Sequence, residues 1–309
     1  WEMLTRERWD SHHYQGPTPV RTVQDFRFRE PLPNVDMEAY DTHYRTNSWG
    51  MRDDEYTLEK PAGVLRIAVL GSSHTMGWGI AQHETFASLL EEQLNAGIPG
   101  WPDAPAFEVL NFAMNGYSPL SQIDLLDVLV ARFSPDIVLL VTHPVDYIWV
   151  GRDLPRALRA GVPVKEPYLQ RVLYDARISA RTHELIAEQR IRPHRSDLLA
   201  WAYRRIVQRC REMGALPVAL LVPLPKDLVR AVPVDDEQAR LIEQAGFVLF
   251  DQSRLYEGLT MEDARRNELD EHMSERAHRM VAEALYRSFV EHLRPQVMTQ
   301  QAAVQDSIP

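Results

Sequence analysis

The sequence alternates short, continuous apolar runs with longer stretches whose apolar residues recur at helical spacing. Such runs, without polar residues in alternate positions, are typical of strands that are covered on both faces, as in a parallel sheet. The pattern therefore predicts a doubly wound α/β fold with a mainly parallel, five-stranded sheet flanked by helices. The predicted strands are residues 65–70, 107–112, 137–141, 216–222 and 247–250. The clearest predicted helices are residues 86–94, 119–130, 196–213 and 274–293.

Three segments lie outside this alternation of strands and helices. Residues 1–60 are polar and rich in arginine, aspartate and proline, and we expect an N-terminal arm that packs on the core. Residues 146–195 form an insertion between a strand and its helix, where loops or lids over active sites commonly occur. Residues 296–309 are polar, and we expect a flexible tail there. The main domain is accordingly predicted to span residues 61–295.

The charge and the cysteine content exclude several classes of function. The chain carries 44 acidic and 34 basic residues, a net charge of −10, and it has no basic stripe of the kind that binds nucleic acid. Its single cysteine, Cys210, excludes an intrachain disulfide and a zinc site built from several cysteines. Histidines and carboxylates do not occur at metal-ligand spacing, so we expect neither a metal nor another cofactor.

The sequence also bears on where the protein resides. No run approaches the roughly 18 apolar residues that a membrane-spanning helix needs. The chain begins at Trp1 rather than at a methionine, and we expect a signal peptide, a membrane anchor or another segment upstream. We therefore expect the exported or periplasmic face of a membrane rather than the cytoplasm. The oligomeric state does not follow from the sequence.

Small, polar and titratable residues follow several of the predicted strands. They occupy residues 71–79, 111–118 and 142–146, and a further group at 270–272 precedes the last helix. Because ligands bind at the carboxyl ends of parallel strands, we expect these groups to converge at one edge of the sheet. The serines and glycines of 71–79 could cradle a phosphate, as in flavodoxin-like domains, present a serine nucleophile, or cap the next helix. A Walker loop and a GxGxxG motif are both excluded.

The Asp270-Glu271-His272 segment favours the nucleophile among these three interpretations. A carboxylate two residues before a histidine can accept the Nδ1–H of the imidazole and fix its tautomer. That arrangement leaves Nε2 free to take a proton from a serine hydroxyl. A phosphate-binding loop needs no such pair.

Three sequence blocks resemble those of the SGNH, or GDSL-type, serine hydrolases and the related O-acyltransferases. The blocks are RIAVLGSSHTMGWGI (66–80), LNFAMNGYSPLSQ (110–122) and LDEHMSERAHRMVAEAL (269–285). The segment YRTNSWGMRDDEY (44–56) also resembles an arm that precedes the first block in many bacterial members. The resemblance covers residues 61–293 and implies the flavodoxin-like α/β fold of that family.

The same resemblance implies roles for individual residues. Ser73 would be the nucleophile, His272 the general base, and Asp270 the carboxylate that orients the imidazole. The N–H groups of Ser73 and Gly116 would donate hydrogen bonds to the oxyanion of the tetrahedral intermediate. Four neighbours on the same loops are candidates for substrate binding: His74, Trp78, Asn115 and Asp146.

The chain departs from the family pattern at two positions. Ser72 stands where the family usually has an aspartate before the nucleophile. The family's third block usually reads Gly-x-Asn-Asp, and its asparagine side chain is an oxyanion donor. The corresponding string here is His143-Pro144-Val145-Asp146, and a valine side chain has no donor. His143 is therefore a candidate third donor; alternatively, it is a histidine packed on the sheet and the third donor is missing.

The leading hypothesis is a serine esterase or deacylase that hydrolyses an acyl ester, above all an acetyl ester, through a Ser-His-Asp triad and an acyl-enzyme. One alternative is an O-acetyltransferase that acts on a polysaccharide or metabolite hydroxyl, together with a membrane-tethered acyl-transfer partner. Another is a non-catalytic module that binds a glycan or a protein partner, because the donor asparagine is missing. The expected ligand is a small-molecule or carbohydrate ester, and no nucleic-acid partner is expected.

Overall fold

The computed structural model describes residues 18–230 and 236–298, so the start of the predicted arm and most of the predicted tail lie outside the described residues. The strands are β1 (Val20–Thr22), β2 (Arg29–Pro31), β3 (Asp36–Ala39), β4 (Thr42–Arg45), β5 (Val64–Leu70), β6 (Ala106–Asn111), β7 (Ile137–Thr142), β8 (Leu216–Leu221), β9 (Val248–Asp251), β10 (Arg265–Asn267) and β11 (Asp270–Met273). The helices are α1 (Ser73–Met76), α2 (Phe86–Asn95), α3 (Pro119–Val128), α4 (Asp146–Arg159), α5 (Pro167–Asp175), α6 (Glu184–Ile191), α7 (Arg195–Glu212), α8 (Asp227–Arg230), α9 (Asp236–Ala245), α10 (Met261–Ala264) and α11 (Glu275–Ser288). In the part of the chain that the structure describes, no helix is both long and apolar enough to cross a membrane.

Strands β5 to β9 form one parallel sheet in the order β6-β5-β7-β8-β9, which confirms the predicted fold class. The central strand β7 is buried along its whole length, as its continuous apolar sequence predicts. After β5 the chain adds β6 on one side and then β7 on the other. The carboxyl ends of β5 and β7 therefore flank the point where the strand order reverses, which is where open α/β sheets bind ligands.

Alternate residues of the central strands enter two different apolar layers, as the twofold periodicity of a strand requires. On β5, Ile67 and Val69 pack with α2 and α11. The residues between and beyond them, Ala68 and Leu70, pack with α3 and α7. The sheet thus has a helical layer on each face, and its carboxyl edge is left for polar side chains.

The described part of the arm, residues 18–60, contains two antiparallel hairpins, β1–β2 and β3–β4. The loop of the first hairpin lies on α3. There the Phe26 N–H donates to Asp124 Oδ2 at 2.7 Å, and the Ser121 hydroxyl donates to the Phe26 carbonyl oxygen at 2.8 Å. Phe26 is itself buried in the apolar layer that contains α3. The arm therefore contributes side chains to the same core as the sheet.

The segment 146–195 is helical, whereas the sequence suggested a loop or lid at this point. It contains α4, α5 and α6, and α4 buries Trp149, Val150, Leu154 and Ala157 at helical spacing. Gly151 and Pro155 obscure this pattern in the sequence, because both residue types disfavour helix interiors. Packing of the apolar stripe on α7 outweighs that local preference.

Candidate active site

The candidate nucleophile lies at the carboxyl edge of the sheet. Ser73 is the first residue of α1, directly after β5, and Ser72 occupies the N-cap position. The Ser72 hydroxyl makes no capping hydrogen bond, so the serines of this loop do not simply cap the helix. As the first residue of a helix, Ser73 has a backbone N–H without an acceptor in the preceding turn.

The hydroxyl of Ser73 lies in a hydrogen-bonded chain with His272 and Asp270. His272 Nε2 is 2.9 Å from Ser73 Oγ, and His272 Nδ1 is 2.6 Å from Asp270 Oδ1. Burial by itself raises the pKa of the Asp270 carboxyl, but hydrogen bonds from His272 and Arg266 and the charge of His272 outweigh it and lower the pKa to about 2. The ionised carboxylate can only accept, so it places the imidazole hydrogen on Nδ1. Nε2 is then an acceptor for the serine hydroxyl.

The Asp-x-His spacing follows from the local structure. Asp270 and His272 both lie on β11, where residues two apart point to the same face of the strand. β11 pairs with β10 in an antiparallel hairpin and is followed at once by α11, whose N-cap is Ser274. The hairpin thus carries both side chains across to Ser73, 199 residues away in the sequence.

Aromatic rings enclose the imidazole of His272. Trp78 is stacked on it with 5.0 Å between ring centroids and 11° between ring planes. His74 lies on it at 4.7 Å. Trp78 is only 4% exposed and its ring also contacts Tyr40 at 4.5 Å, so it supports the imidazole. The contacts of the Trp78 ring favour this supporting role, and its predicted contact with substrate stays a prediction.

The backbone around Gly116 is fixed by the arm and by the end of β6. Gly116 has φ +81°, a conformation that favours glycine. Arg29 from the arm donates from Nη2 to the Asn115 carbonyl oxygen at 3.1 Å, and a Cβ atom on Gly116 would lie 2.8 Å from the same nitrogen. Among the described residues no group accepts a hydrogen bond from the Gly116 N–H. The Asn115 side chain is half-buried, which is compatible with its predicted contact with substrate.

Asn111, which the sequence analysis did not single out, ties the two candidate oxyanion segments together. Its Nδ2 donates to the Thr75 carbonyl oxygen at 3.0 Å, and its Oδ1 accepts the Ala113 N–H at 3.1 Å. It therefore connects the end of β6 to α1, which carries Ser73. The only signal for this role in the sequence is a polar residue at the end of an apolar strand.

The hydrogen-bond partner of His143 argues against the third oxyanion donor that the sequence suggested. Its Nδ1 is 3.0 Å from the Val222 carbonyl oxygen, which can only accept, so Nδ1 carries the hydrogen. Burial lowers the pKa of the His143 imidazole to about 4, against the opposing effect of that hydrogen bond. The neutral ring therefore presents a bare lone pair at Nε2. This atom is buried and has no hydrogen-bond partner among the described residues.

Asp146, a predicted substrate-binding residue, is bonded within the turn that follows β7. It is 4% exposed, and its Oδ2 accepts the Thr142 hydroxyl at 2.6 Å and the His143 N–H at 3.2 Å. Burial raises the pKa of its carboxyl to about 7, although these hydrogen bonds oppose the increase. Thr142 is in turn bonded to Tyr203 and Gln238. Asp146 thus stabilises the turn from β7 into α4, and its predicted contact with substrate stays a prediction.

His74 directly follows the candidate nucleophile in the chain, and its predicted contact with substrate stays a prediction. It is 6% exposed, and its ring lies between those of His272, at 4.7 Å, and His143, at 5.5 Å. Burial lowers the pKa of His74 well below its ordinary value, and the charges of His272 and His143 act in the same direction. His74 is therefore a neutral imidazole that packs between His272 and His143. No group of three or more potential metal ligands occurs within the described ranges.

Comparisons with known proteins give structural similarities only. No protein-family model matches the chain, and no curated protein matches it either. The solved structures similar to it include the psychrotrophic esterase EstA from Pseudoalteromonas sp. (15% identity, 74% of this chain and 98% of that chain, TM-score 0.45). They also include Axe2, an acetylxylan esterase from Geobacillus stearothermophilus (14%, 74% and 94%, 0.45). A third is a lipase/acylhydrolase from Enterococcus faecalis (12%, 73% and 95%, 0.44). Function has to be inferred from the geometry of the site itself.

Proposed function

We propose that the protein is a serine hydrolase that cleaves ester bonds, with Ser73 as nucleophile, His272 as general base and Asp270 as the carboxylate that orients it. The observation that carries this proposal is the chain of hydrogen bonds from Ser73 Oγ to His272 at 2.9 Å and from His272 to Asp270 at 2.6 Å. A serine hydroxyl paired with an imidazole of fixed tautomer is the arrangement that nucleophilic acyl transfer requires.

The chemistry follows from these three side chains and two backbone N–H groups. Ser73 Oγ attacks the carbonyl carbon of the ester while His272 Nε2 accepts the hydroxyl proton. The carbonyl electrons move to oxygen, and the resulting oxyanion accepts hydrogen bonds from the N–H groups of Ser73 and Gly116. Collapse breaks the bond to the alcohol oxygen, which takes the proton from His272. A water molecule, deprotonated by His272, then attacks the acyl-enzyme, releases the carboxylic acid and restores Ser73.

Two donors rather than three form the proposed oxyanion hole. His143 presents an acceptor, and Val145 has no polar side-chain atom. Loss of one oxyanion donor typically lowers turnover about 100- to 1,000-fold. We therefore expect measurable turnover with an ester whose leaving group is good, such as p-nitrophenyl acetate, and much slower turnover with unactivated alkyl esters.

A short acyl group, such as acetyl, suits this site best. Ser73 is 8% exposed. Beside it, the ring centroids of His74 and His272 are 4.7 Å apart. We therefore expect a small acyl group to be accepted more readily than a long one. A long acyl chain would have to displace buried side chains, which costs packing energy.

The experiment that tests the proposal combines covalent labelling with turnover. A fluorophosphonate is expected to add once to the wild-type protein at Ser73, as read by intact mass and peptide mapping. Ser73→Ala should abolish both the adduct and hydrolysis of p-nitrophenyl acetate. Ser72→Ala is the matched control, because its buried hydroxyl has no partner among the described residues. An unlabelled wild-type protein, or a Ser73→Ala variant of unchanged turnover, contradicts the proposal.

The same assay identifies the acyl acceptor. With water as acceptor, added oligosaccharide leaves the rate of acetate release unchanged and gains no acetyl group by mass spectrometry. An oligosaccharide that becomes acetylated, with faster loss of the acyl-enzyme, would make the protein an O-acetyltransferase and would contradict hydrolysis as its main reaction.

A further inference from the structure

The turn between β3 and β4 is formed by two residues in a conformation that their side chains disfavour. Tyr40 and Asp41 have φ angles of +56° and +58°, and two-residue hairpin turns of this kind usually contain asparagine and glycine. Such strained residues persist where the surroundings hold them in place, and they are concentrated at functional sites. Tyr40 is 1% exposed although it lies at the tip of a hairpin in the arm.

Tyr40 connects this turn to the imidazole of His272. Its ring contacts Trp78 with 4.5 Å between centroids, and Trp78 is stacked on His272 at 5.0 Å with 11° between planes. A stacked ring restricts rotation of the imidazole about its χ2 angle, which determines whether Nε2 points at Ser73. The three rings thus form a continuous contact from the arm to the candidate general base.

Asp41, the other residue of the turn, connects it to Asp270. Arg266 on β10 donates from Nη1 to Asp270 Oδ2 at 2.6 Å, and the same nitrogen lies 3.6 Å from Asp41 Oδ2. Oδ2 is the Asp270 oxygen that His272 does not use. Gly79 leaves room for the guanidinium, because a Cβ atom there would lie 2.1 Å from Arg266 Cζ.

We propose that the Tyr40–Asp41 turn is a positioning element of the Asp270–His272 pair, acting on the imidazole through Trp78 and on the carboxylate through Arg266. This inference rests on the proposed function and adds to it that the arm is part of the active site. None of these four residues touches the reacting atoms. Their contribution is to hold Asp270 and His272 in the geometry that accepts a proton from Ser73.

Arg266 contacts Asp270 and Asp41 and not the reacting atoms, so its contribution is measurable as a loss of kcat with little change in KM. Burial lowers the pKa of His278 to about 3 and that of His74 well below its ordinary value, so both are neutral in the assay range.

The first test compares Arg266→Met with Arg265→Met, a variant of the neighbouring arginine, which pairs with Glu262 instead. Arg266→Met is expected to lower kcat about tenfold with KM little changed. Arg266→Lys, which keeps the charge, should restore most of kcat. Arg265→Met should leave kcat and KM unchanged. An unchanged kcat in Arg266→Met overturns the role of Arg266; if that variant does not fold, Arg266→Gln takes its place in the same comparison.

The second test compares Tyr40→Ala with Phe26→Ala, a variant of another buried aromatic residue of the arm that lies on α3. Both variants should lower the melting temperature. Only Tyr40→Ala should lower kcat, by about tenfold or more, with KM little changed. Equal kcat values in the two variants at a temperature where both are folded overturn the proposal.

Fluorophosphonate labelling separates failure of this inference from failure of the proposed function. Without labelling of Ser73 in the wild-type protein, the proposed function itself is wrong. With labelling of Ser73 but unchanged kcat in Arg266→Met and Tyr40→Ala, the proposed function stands and the positioning role of the turn is wrong.

Discussion

Replacement of Gly79 by alanine tests whether the guanidinium of Arg266 has to lie against the backbone at this point. Gly79 has φ +69°, and a Cβ atom there would lie 2.1 Å from both Cζ and Nη1 of Arg266. These distances are far inside van der Waals contact, so the guanidinium or the loop has to move. Because Arg266 is bonded to Asp270 at 2.6 Å, its movement also disturbs the candidate active site.

Two costs contribute to the expected loss of stability. The positive φ angle costs an alanine about 1 kcal/mol relative to glycine. Loss of the charge-assisted hydrogen bond between Arg266 and Asp270 costs about 1 to 2 kcal/mol, since both side chains are 14% exposed and partly screened by water. We therefore expect Gly79→Ala to lower the free energy of unfolding by about 2 to 3 kcal/mol and kcat/KM about tenfold.

Gly161→Ala is the matched control for the backbone term alone. Gly161 has nearly the same φ, +71°, but nothing lies within 4 Å of the position of its Cβ. Urea unfolding followed by circular dichroism should give a loss of about 1 kcal/mol for this variant, with unchanged turnover of p-nitrophenyl acetate. If Gly79→Ala loses no more stability than Gly161→Ala and keeps its turnover, the close contact with Arg266 has no functional consequence and the reasoning is refuted.

Three further substitutions test other parts of the site. Asp270→Asn should lower kcat about 10,000-fold while the protein stays folded, because an amide nitrogen can impose the wrong imidazole tautomer. Kinetics and circular dichroism check this, and a loss of kcat below about tenfold would exclude the orienting role of Asp270. His143→Leu should lower the free energy of unfolding by about 1 to 3 kcal/mol, since the Val222 carbonyl loses its donor. Turnover should change less than about tenfold. A loss of turnover of about 100-fold or more would instead support His143 as an oxyanion donor. Burial raises the pKa of Asp53 to about 8, so the folded state binds more protons than the unfolded state between pH 4 and 8 and stability falls as the pH rises through this window. Asp53→Asn should flatten that fall, by up to about 1.4 kcal/mol per pH unit, in urea unfolding at pH 5 and pH 7; equal slopes in both proteins would show that Asp53 is ionised in the folded state.

Local periodicity explains why much of the fold could be predicted. Continuous apolar runs correspond to β5 and β7, and a serine followed by proline marks the start of α3, whose N-cap is Ser118. The Asp-x-His spacing is equally local, because alternate residues of a strand share a face. The helix α4 was not predicted, since a glycine and a proline interrupt its apolar stripe and packing on neighbouring helices, above all α7, compensates for them.

The surroundings of several candidate site residues depend on partners that are distant in the sequence. The donor or acceptor character of His143 is determined by the carbonyl of Val222, which is 79 residues away. The sequence suggests that Trp78 binds substrate, and its stacking on the ring of His272, 194 residues away, is visible only in the tertiary structure. Arg29 donates to the carbonyl oxygen of Asn115, just before Gly116, and these two residues are 86 positions apart in the sequence. No pattern of neighbouring residues encodes these contacts.

The sequence by itself determined the parallel α/β fold and the residue types that could form a nucleophile, a base and its carboxylate, because periodicity and short spacings are properties of neighbouring residues. Only the tertiary structure decided which ring nitrogen of His143 and of His272 carries the hydrogen. It also decided which arginine and which aromatic rings contact the Asp270–His272 pair. The physical reason is that tautomers, charge compensation and ring stacking depend on atoms within a few ångströms in space. Those atoms come from segments far apart along the chain.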